Sequence, residues 1–195
     1  MDNDLKIFVL NGPSASGKTS IMEGLLEKRN DLERLVTVTT RAMRPGEVDG
    51  KDYYFLTPEA FQEAKDRGEV VEETVYAGTQ YGIFSSEIER IRQNGRFALT
   101  VLDMHGVEEM QRFYGKCHVI SVFIYRPQRY IEAELKKRPV SKEETDKRIE
   151  KAKKEFHNME KCNHILTNTG SLDDAVKKME AIVDAEEKKT QILGA

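Results

Sequence analysis

Residues 12–19, which read G-P-S-A-S-G-K-T, constrain the fold of this chain more than any other segment. They fit the pattern G-x-x-x-x-G-K-[ST], which is typical of loops that bind the phosphates of a nucleotide. Residues 5–11 are mostly apolar and predict a strand, and residues 20–28 predict a helix. A strand before the loop and a helix after it are the context that the pattern requires, which argues against an ordinary glycine turn.

The residue types of this loop suit a phosphate chain. Glycine lets the backbone turn tightly enough for several N–H groups to point at one anion, and the following helix adds the positive end of its dipole. Lys18 would place a positive charge on the outer phosphates, and the Thr19 hydroxyl would hold a magnesium ion.

The rest of the chain alternates apolar strands with helices. Residues 97–102 and 117–125 are nearly all apolar, as strands buried on both faces are, and each is followed by a predicted helix. This alternation predicts an α/β fold, with a parallel sheet and helices on both of its faces. The aromatic-rich span of residues 37–85 has short strands and a helix instead, so we interpret it as an insertion that forms a second binding surface.

Composition narrows the class of protein. The 195 residues suggest one domain, and a formal net charge of −3 argues against a general affinity for nucleic acid. The apolar runs are far shorter than the ~20 residues that span a membrane, and the acidic amino terminus does not resemble a signal peptide. Cys117 and Cys162 are expected to be reduced thiols. We therefore expect a cytoplasmic protein with no nucleic-acid or membrane partner, either a monomer or a homodimer.

Two arginines, Arg41 and Arg44, follow a predicted strand at residues 35–40. Because they are three residues apart, both guanidinium groups can reach one anion, and such a pair suits the phosphate of a nucleoside monophosphate. On composition alone, the alternative that both are solvated loop arginines is equally favoured.

Around these arginines the sequence resembles the guanylate kinase family. Residues 37–55 read T-V-T-T-R-A-M-R-P-G-E-V-D-G-K-D-Y-Y-F, which is similar to that family's signature S/T-x-[ST]-T-R-x-x-R-x-G-E-x-x-G-x-D-Y-x-F. The G-P-S start of the phosphate loop matches as well. Residues 102–107 resemble the family's D-x-Q-G segment, with His105 in place of the glutamine. The resemblance extends over nearly the whole chain.

The resemblance implies a reaction and an architecture. The family transfers a phosphoryl group from ATP to GMP, giving ADP and GDP in purine nucleotide metabolism, with Mg²⁺ as cofactor, and dGMP is a second expected acceptor. Its fold is the P-loop NTPase fold, a parallel β-sheet core flanked by helices, with a small mixed α/β insertion for the nucleoside monophosphate and a helical lid. Residues 1–195 would form one such domain. Its expected parts are the core (1–36, 86–125 and 155–195), the GMP-binding insertion (about 37–85) and the lid (about 126–154).

The family's functional positions carry over residue by residue. The expected GMP-binding residues are Thr37, Arg41, Arg44, Tyr53, Glu72, Tyr81 and Asp103. The expected ATP-binding residues are Gly12, Pro13, Ser14, Ala15, Ser16, Gly17, Lys18, Thr19, Ser20 and Asn168, with Thr19 as the magnesium ligand. The expected catalytic residues, which would offset the charge of the transferred group, are Lys18, Arg41, Arg44, Arg138 and Arg148.

Two acids in this set suit a guanine base. Guanine presents N1–H and its exocyclic amine as donors, and the carboxylates of Glu72 and Asp103 can only accept. Adenine has no N1–H, so AMP would leave Glu72 without its donor at a cost of ~1–3 kcal/mol. Each acid taken alone could also be an ordinary surface residue.

Three departures from the family pattern leave two alternatives open. Val101 replaces an acid that the family usually has near the metal, Ile83 replaces a Ser or Thr that contacts GMP, and the segment between Arg138 and Arg148 lacks an arginine. The chain could therefore be a catalytically weak or inactive binding module, or a nucleoside monophosphate kinase of altered base preference. The complete phosphate loop argues against the module. Residues 126–154 hold 11 Lys or Arg against 6 Asp or Glu, which indicates either a solvated helical surface or a lid that closes over a triphosphate.

Overall fold

The computed structural model describes residues 6–76, 78–137 and 140–193. The strands are β1 (Ile7–Asn11), β2 (Leu32–Arg34), β3 (Val38–Thr39), β4 (Tyr54–Phe55), β5 (Val70–Tyr76), β6 (Thr79–Phe84), β7 (Phe97–Val101), β8 (Val119–Tyr125) and β9 (His164–Thr167). The helices are α1 (Lys18–Lys28), α2 (Pro58–Asp66), α3 (Ser85–Gln93), α4 (Met104–Tyr114), α5 (Gln128–Lys136), α6 (Lys142–Glu155) and α7 (Leu172–Leu193), and a 3₁₀ turn covers Phe156–Lys161.

The larger of two sheets has five parallel strands in the order β2-β7-β1-β8-β9. Every residue of its central strand, β1, is buried. Phe8 and Leu10 pack into a cluster with apolar residues of α1 and α7, and Ile7 and Val9 pack into a second cluster with residues of α3 and α4. The predicted parallel sheet with helices on both faces is therefore confirmed. Apolar packing on both sides fixes the strand from which the phosphate loop starts.

The insertion has a sheet of its own, with strands in the order β4-β3-β6-β5. Strand β3 is parallel to β4, and β6 is antiparallel to both β3 and β5. Helix α2 begins after Thr57, whose hydroxyl caps the helix by accepting a hydrogen bond from the N–H of Ala60. The buried Glu87 of α3 ties this sheet to the core, because it accepts from the Val36 N–H and the Tyr54 hydroxyl.

Helices α5 and α6 form most of the expected lid and pack through a small apolar cluster that includes Ile131, Leu135 and Ile149. The Ser141 hydroxyl caps α6 by accepting from the N–H of Glu144. The boundaries of core, insertion and lid stay predictions.

The sequence-based strands and helices differ from the structure in three places. The predicted strand at residues 35–40 is only Val38–Thr39, and the short, partly polar strand Leu32–Arg34 before it was missed. The sequence also predicts one helix over residues 141–160, but in the structure this helix ends at Glu155 and continues as the 3₁₀ turn. For the last helix the sequence predicts residues 171–187, whereas α7 runs to Leu193. No helix in the described part of the chain is both long and apolar enough to cross a membrane.

Candidate active site

The phosphate loop follows β1 and leads directly into α1, as its pattern predicts. Gly12 has a φ of 129°, and a Cβ atom there would lie 2.8 Å from the carbonyl oxygen of Ile124. Gly17 has a φ of 99°, and its Cβ would lie 2.5 Å from the amide nitrogen of Asn168. Both positions therefore require glycine for conformation and for space. Ala15 also has a positive φ, 65°, which is uncommon outside glycine and typical of strained functional loops.

Two side chains stabilise this loop. The Lys18 ammonium group donates to the carbonyl oxygens of Gly12 and Pro13 at 2.6 and 2.8 Å. From the other side, the Asn168 amide donates to the carbonyl oxygen of Ser16 at 2.8 Å. Asn168 follows β9 directly, so the edge of the parallel sheet holds it against the loop. The predicted ATP-site residues Lys18 and Asn168 thus lie together, although their role in binding ATP stays a prediction.

A cavity of about 280 Å³ adjoins the start of α1. It is lined by Gly17, Ser20, Arg126, Tyr130, Asn168, Thr169, Gly170 and Leu172. Apart from Asn168, the residues that follow β8 and β9 in this set were missed from the sequence. The signal that could have found them is their position, because ligands in parallel α/β sheets bind beyond the carboxyl ends of the strands. We call this space the donor cavity.

A second cavity, of about 210 Å³, lies between the insertion and the carboxyl end of β7. It is lined by Thr37, Tyr53, Glu72, Thr74, Tyr81, Gly82, Val101, Leu102, Asp103 and Lys151. Five of these residues were expected at a GMP site: Thr37, Tyr53, Glu72, Tyr81 and Asp103. Thr74 and Lys151 were missed. We call this space the acceptor cavity.

Glu72 is the most deeply buried acid of the acceptor cavity, with 4% of its surface exposed. Burial raises its pKa from 4.5 to about 7, and Asp103 adds to the rise, while a hydrogen bond of 2.8 Å from the Thr74 hydroxyl opposes it. Gly106 gives the carboxylate room, since a Cβ there would lie 2.9 Å from Glu72 Oε1. Glu72 is therefore not an ordinary surface acid, the alternative that the sequence left open.

Asp103 lies at the start of α4, where its carboxylate accepts a hydrogen bond of 3.0 Å from the Gly106 N–H. Val101, two residues earlier, packs against the apolar cluster under α1 and also reaches the acceptor cavity. Ile83 is fully buried in the other core cluster and is not a lining residue of that cavity. Both substituted positions therefore serve packing.

The two predicted phosphate-binding arginines do not line the acceptor cavity. The Arg41 guanidinium pairs with both carboxylate oxygens of Glu47 at 3.0 and 2.7 Å. It also lies 5.4 Å from the centre of the Tyr53 ring, at the border of the cavity. The hydrogen bonds from Arg41 lower the pKa of Glu47, so this carboxylate stays ionised. Arg44 is exposed, and the structure does not bring it to the cavity.

The lid brings one of its two predicted catalytic arginines near the loop. Arg148 donates to Glu144 at 2.8 Å and lines a cavity of about 190 Å³ together with Ser14, Lys151, Ala152 and Glu155. Arg138 lies outside the described residues.

The predicted magnesium ligand, Thr19, lies in the first turn of α1 with its side chain exposed. No group of three or more His, Cys, Asp or Glu that could hold a metal occurs among the residues that the structure describes. A single hydroxyl beside a phosphate loop fits Mg²⁺, which proteins commonly bind through substrate phosphates and water.

Comparison with known proteins identifies the family. A family model described as guanylate kinase matches residues 4–186. A guanylate kinase from Wolbachia sp. subsp. Brugia malayi is 35% identical over 191 residues, which cover 97% of each chain. Guanylate kinase 2, chloroplastic/mitochondrial, from Oryza sativa subsp. japonica is 35% identical over 188 residues, or 94% of this chain and 65% of the Oryza protein. The crystal structure of guanylate kinase from Anaplasma phagocytophilum superimposes with a TM-score of 0.76 at 26% identity, covering 96% of this chain and 88% of that one. The chain belongs to the guanylate kinase family.

Proposed function

We propose that this chain transfers a phosphoryl group from ATP, bound on the phosphate loop, to GMP, bound in the acceptor cavity. The observation that carries the assignment of the two sites is the acceptor cavity itself. It collects five residues from distant parts of the sequence that match the family's GMP-binding positions, and it shares Lys151 with a cavity that contains Ser14 of the loop. Membership of the guanylate kinase family supports the same reaction, ATP-dependent phosphorylation of GMP.

The guanine base is read by acceptors at the buried end of the acceptor cavity. Glu72 and Asp103 accept from the N1–H and the exocyclic amine, and the Thr37 hydroxyl donates to the guanine carbonyl. Because Glu72 is buried, leaving its carboxylate without a hydrogen-bond donor costs free energy. Adenine offers no N1–H donor, so this cost disfavours the binding of AMP.

The monophosphate is held at the opposite end by Tyr53, Tyr81 and the two arginines. Arg41 already lies over the Tyr53 ring and needs to exchange part of its pairing with Glu47 for the phosphate. Arg44 reaches the same phosphate from its exposed position.

Phosphoryl transfer depends on positioning and on cancelling charge more than on acid–base chemistry. The backbone N–H groups of the phosphate loop and the Lys18 ammonium group hold the donor phosphates. Arg148, and Arg138 outside the described residues, add positive charge from the lid. Mg²⁺, held through Thr19, would neutralise phosphate charge when bound.

Asn168, with the other residues of the donor cavity, contacts the adenine of ATP. We further propose a cytoplasmic protein of purine nucleotide metabolism that acts as a monomer or homodimer and binds neither nucleic acid nor membrane. Cys117 and Cys162 are both free, which fits a reducing compartment.

A coupled assay of ADP release in the presence of Mg²⁺ tests the reaction, with GMP, dGMP, AMP, UMP and CMP as acceptors. We expect turnover with GMP and dGMP and little with the others. Binding of GMP without turnover on any monophosphate would identify a binding module instead. Fastest turnover on AMP would refute the roles of Glu72 and Asp103 in base selection.

A further inference from the structure

The acceptor cavity contains a hydroxyl group that the proposed reading of guanine does not use. Thr74 of β5 lines this cavity together with Glu72. The two residues are two positions apart on the strand, so their side chains lie on the same face of it. The Thr74 hydroxyl donates a hydrogen bond of 2.8 Å to Oε1 of the Glu72 carboxylate. The buried acid is thus held by a donor from its own strand.

Helix α4 encloses the same carboxylate oxygen from the other side. A Cβ atom at Gly106 would lie 2.9 Å from Glu72 Oε1, so this oxygen packs against the backbone of the helix. His105, the preceding residue, is exposed, and its Nδ1 lies 3.5 Å from the Thr74 hydroxyl oxygen. The three polar atoms therefore form a short chain that runs from the buried acid through Thr74 to an exposed imidazole ring.

The direction of the hydrogen bonds in this chain follows from the number of hydrogens. A threonine hydroxyl has one hydrogen to donate and can accept through its oxygen. Because that hydrogen points to Glu72, the longer contact with His105 requires a hydrogen on Nδ1, which the Thr74 oxygen accepts. Every hydrogen in the chain then points towards the carboxylate, an arrangement that favours the charged form of Glu72.

The charges around Glu72 make this chain important near neutral pH. Burial raises the pKa of Glu72 to about 7, and the hydrogen bond from Thr74 and the charge of His105 both act against this rise. The acids Asp103 and Glu109 of α4 add to it. The other titratable side chains that line the cavity are Tyr53, Tyr81 and Lys151. Since a group titrates most steeply near its pKa, losing one donor at Glu72 would change its charge most at about pH 7.

We propose that Thr74 and His105 are positioning residues that hold the Glu72 carboxylate as a charged acceptor for the guanine base, an inference that rests on the proposed function. Thr74 acts on the carboxylate directly, and His105 acts through the Thr74 hydroxyl. The N1–H and amine of guanine then meet an acceptor that needs no loss of a proton on binding. Recognition of the base therefore depends on a hydroxyl and an imidazole as well as on the two acids.

Three variants of the full chain test these roles: Thr74→Val, which removes the hydroxyl, Thr74→Ser, which restores it, and His105→Phe. Thr79→Val is the control, because Thr79 lies on the neighbouring strand β6 and does not line the acceptor cavity. The Glu72 carboxyl group is titrated by carbon NMR in each free protein, and thermal unfolding is recorded. The dissociation constant for GMP is measured by calorimetry without ATP from about pH 6 to about pH 8.5, a range that spans this titration. Glu72→Gln gives the pH dependence that comes from the GMP phosphate.

The expected changes concern the position of the titration. In Thr74→Val the midpoint for Glu72 should move up from about 7 by about one pH unit, the effect of losing one hydrogen bond to a charged group. GMP binding should then weaken about fivefold at about pH 7 and return to within about twofold of the wild type at about pH 8.5. Thr74→Ser should recover most of the affinity, and Thr79→Val should match the wild type. His105→Phe should move the midpoint in the same direction by a smaller amount, because its contact is longer.

The outcomes separate this inference from the reaction itself. A wild-type chain that does not bind GMP would refute the proposed function, and the inference with it. If the wild type binds GMP, an unchanged titration of Glu72 in Thr74→Val overturns the role of Thr74, and an unchanged titration in His105→Phe overturns that of His105. An equal loss of GMP affinity at every pH would show that Thr74 does not act through the charge of Glu72. A lower unfolding temperature in Thr74→Val, with no recovery by Thr74→Ser, would identify a structural residue.

Discussion

The donor region of this site, which is the phosphate loop with the donor cavity, is already well ordered in the free protein. The acceptor region, which is the acceptor cavity with Arg41 and Arg44, is only partly arranged. In the donor region, Gly12 is locked against Ile124, Lys18 and Asn168 each hydrogen-bond to the loop, and the strand below is buried on both faces. In the acceptor region the residues of the proposed base-binding end line one cavity, but those of the proposed phosphate-binding end are not gathered there, because Arg41 is paired with Glu47.

This difference assigns a separate task to each region. A rigid donor loop costs little reorganisation when it binds a triphosphate, and it keeps its N–H groups aimed during the reaction. In the proposed function the acceptor region selects instead, because only a ligand with an anionic phosphate would compete with Glu47 for Arg41 while its base satisfied the buried Glu72. Variants on each side should therefore affect different kinetic constants.

The largest effect should come from the donor region. In Lys18→Ala we expect kcat to fall ~10²–10³-fold, because the charge on the outer phosphates in the transition state is lost. Affinity for GMP, measured by calorimetry without ATP, should stay close to that of the wild type. Lys28→Ala is a matched control, since Lys28 ends the same helix and pairs with Asp173 on the exposed surface. A large loss of GMP affinity in Lys18→Ala would mean that the two regions are not separate.

The second largest effect should come from removing Arg41 of the acceptor region. Arg41→Ala should weaken GMP binding by ~1.5–3 kcal/mol, the contribution of a hydrogen bond to a charged group, while the KM for ATP stays the same. Arg67→Ala, which removes an exposed arginine paired with Glu69, serves as control. Unchanged affinity for GMP would show that Arg41 remains with Glu47 in the complex and has no part in binding.

The pH dependence of GMP binding should also come from the acceptor region. If Glu72 binds guanine as proposed, only its carboxylate form can accept from the base, and the pKa of Glu72 in the free protein is about 7. Affinity for GMP should therefore fall ~10-fold between pH 8 and pH 6, and Glu72→Gln should bind more weakly without this slope. Because ATP binding does not involve Glu72, the KM for ATP should not follow the same curve. A GMP affinity that is flat across this range would contradict the assignment.

The same shift predicts a gain in stability for Glu72→Gln. The folded-state pKa, about 7, is raised above the ordinary value of 4.5, so the folded chain binds this proton more tightly than the unfolded chain. The stability from this proton is complete below about pH 4.5 and is lost as the pH rises through about 7. Above that pH, Glu72→Gln should raise the free energy of unfolding by up to ~3 kcal/mol in urea titrations. A variant no more stable than wild type at pH 8 would show that burying the Glu72 carboxylate does not destabilise the folded chain.

The two regions also differ in how far the sequence predicts them. The loop was predictable because a local pattern, with its glycines at fixed positions, determines its conformation. The acceptor residues were placed only through the family's signature, since Glu72 and Asp103 meet through a tertiary contact between β5 and α4. The pairing of Arg41 with Glu47 depends on a competition between partners that spacing does not decide.

The donor cavity and Lys151 were missed for a related reason. Arg126, Tyr130 and Thr169 carry no motif, and their role depends on the strand order that brings β8 and β9 beside the loop. Lys151 is one of several lysines on α6, and only the packing of the helix determines which of them faces the site. The short strand Leu32–Arg34 was missed because three partly polar residues show no periodicity.

The smallest effect should come from Asn168, whose side chain links the end of β9 to the phosphate loop. Asn168→Ala removes one hydrogen bond to the Ser16 carbonyl and the contact with Gly17, so the KM for ATP should rise by the equivalent of ~0.5–1.5 kcal/mol, or about two- to tenfold. The KM for GMP should stay unchanged, because the acceptor cavity does not include Asn168. Asn94→Ala, at the exposed end of α3, is the control. Equal rises in both KM values would show that the loop transmits its position to the acceptor region, and the two regions would then have to be treated as one preorganised site.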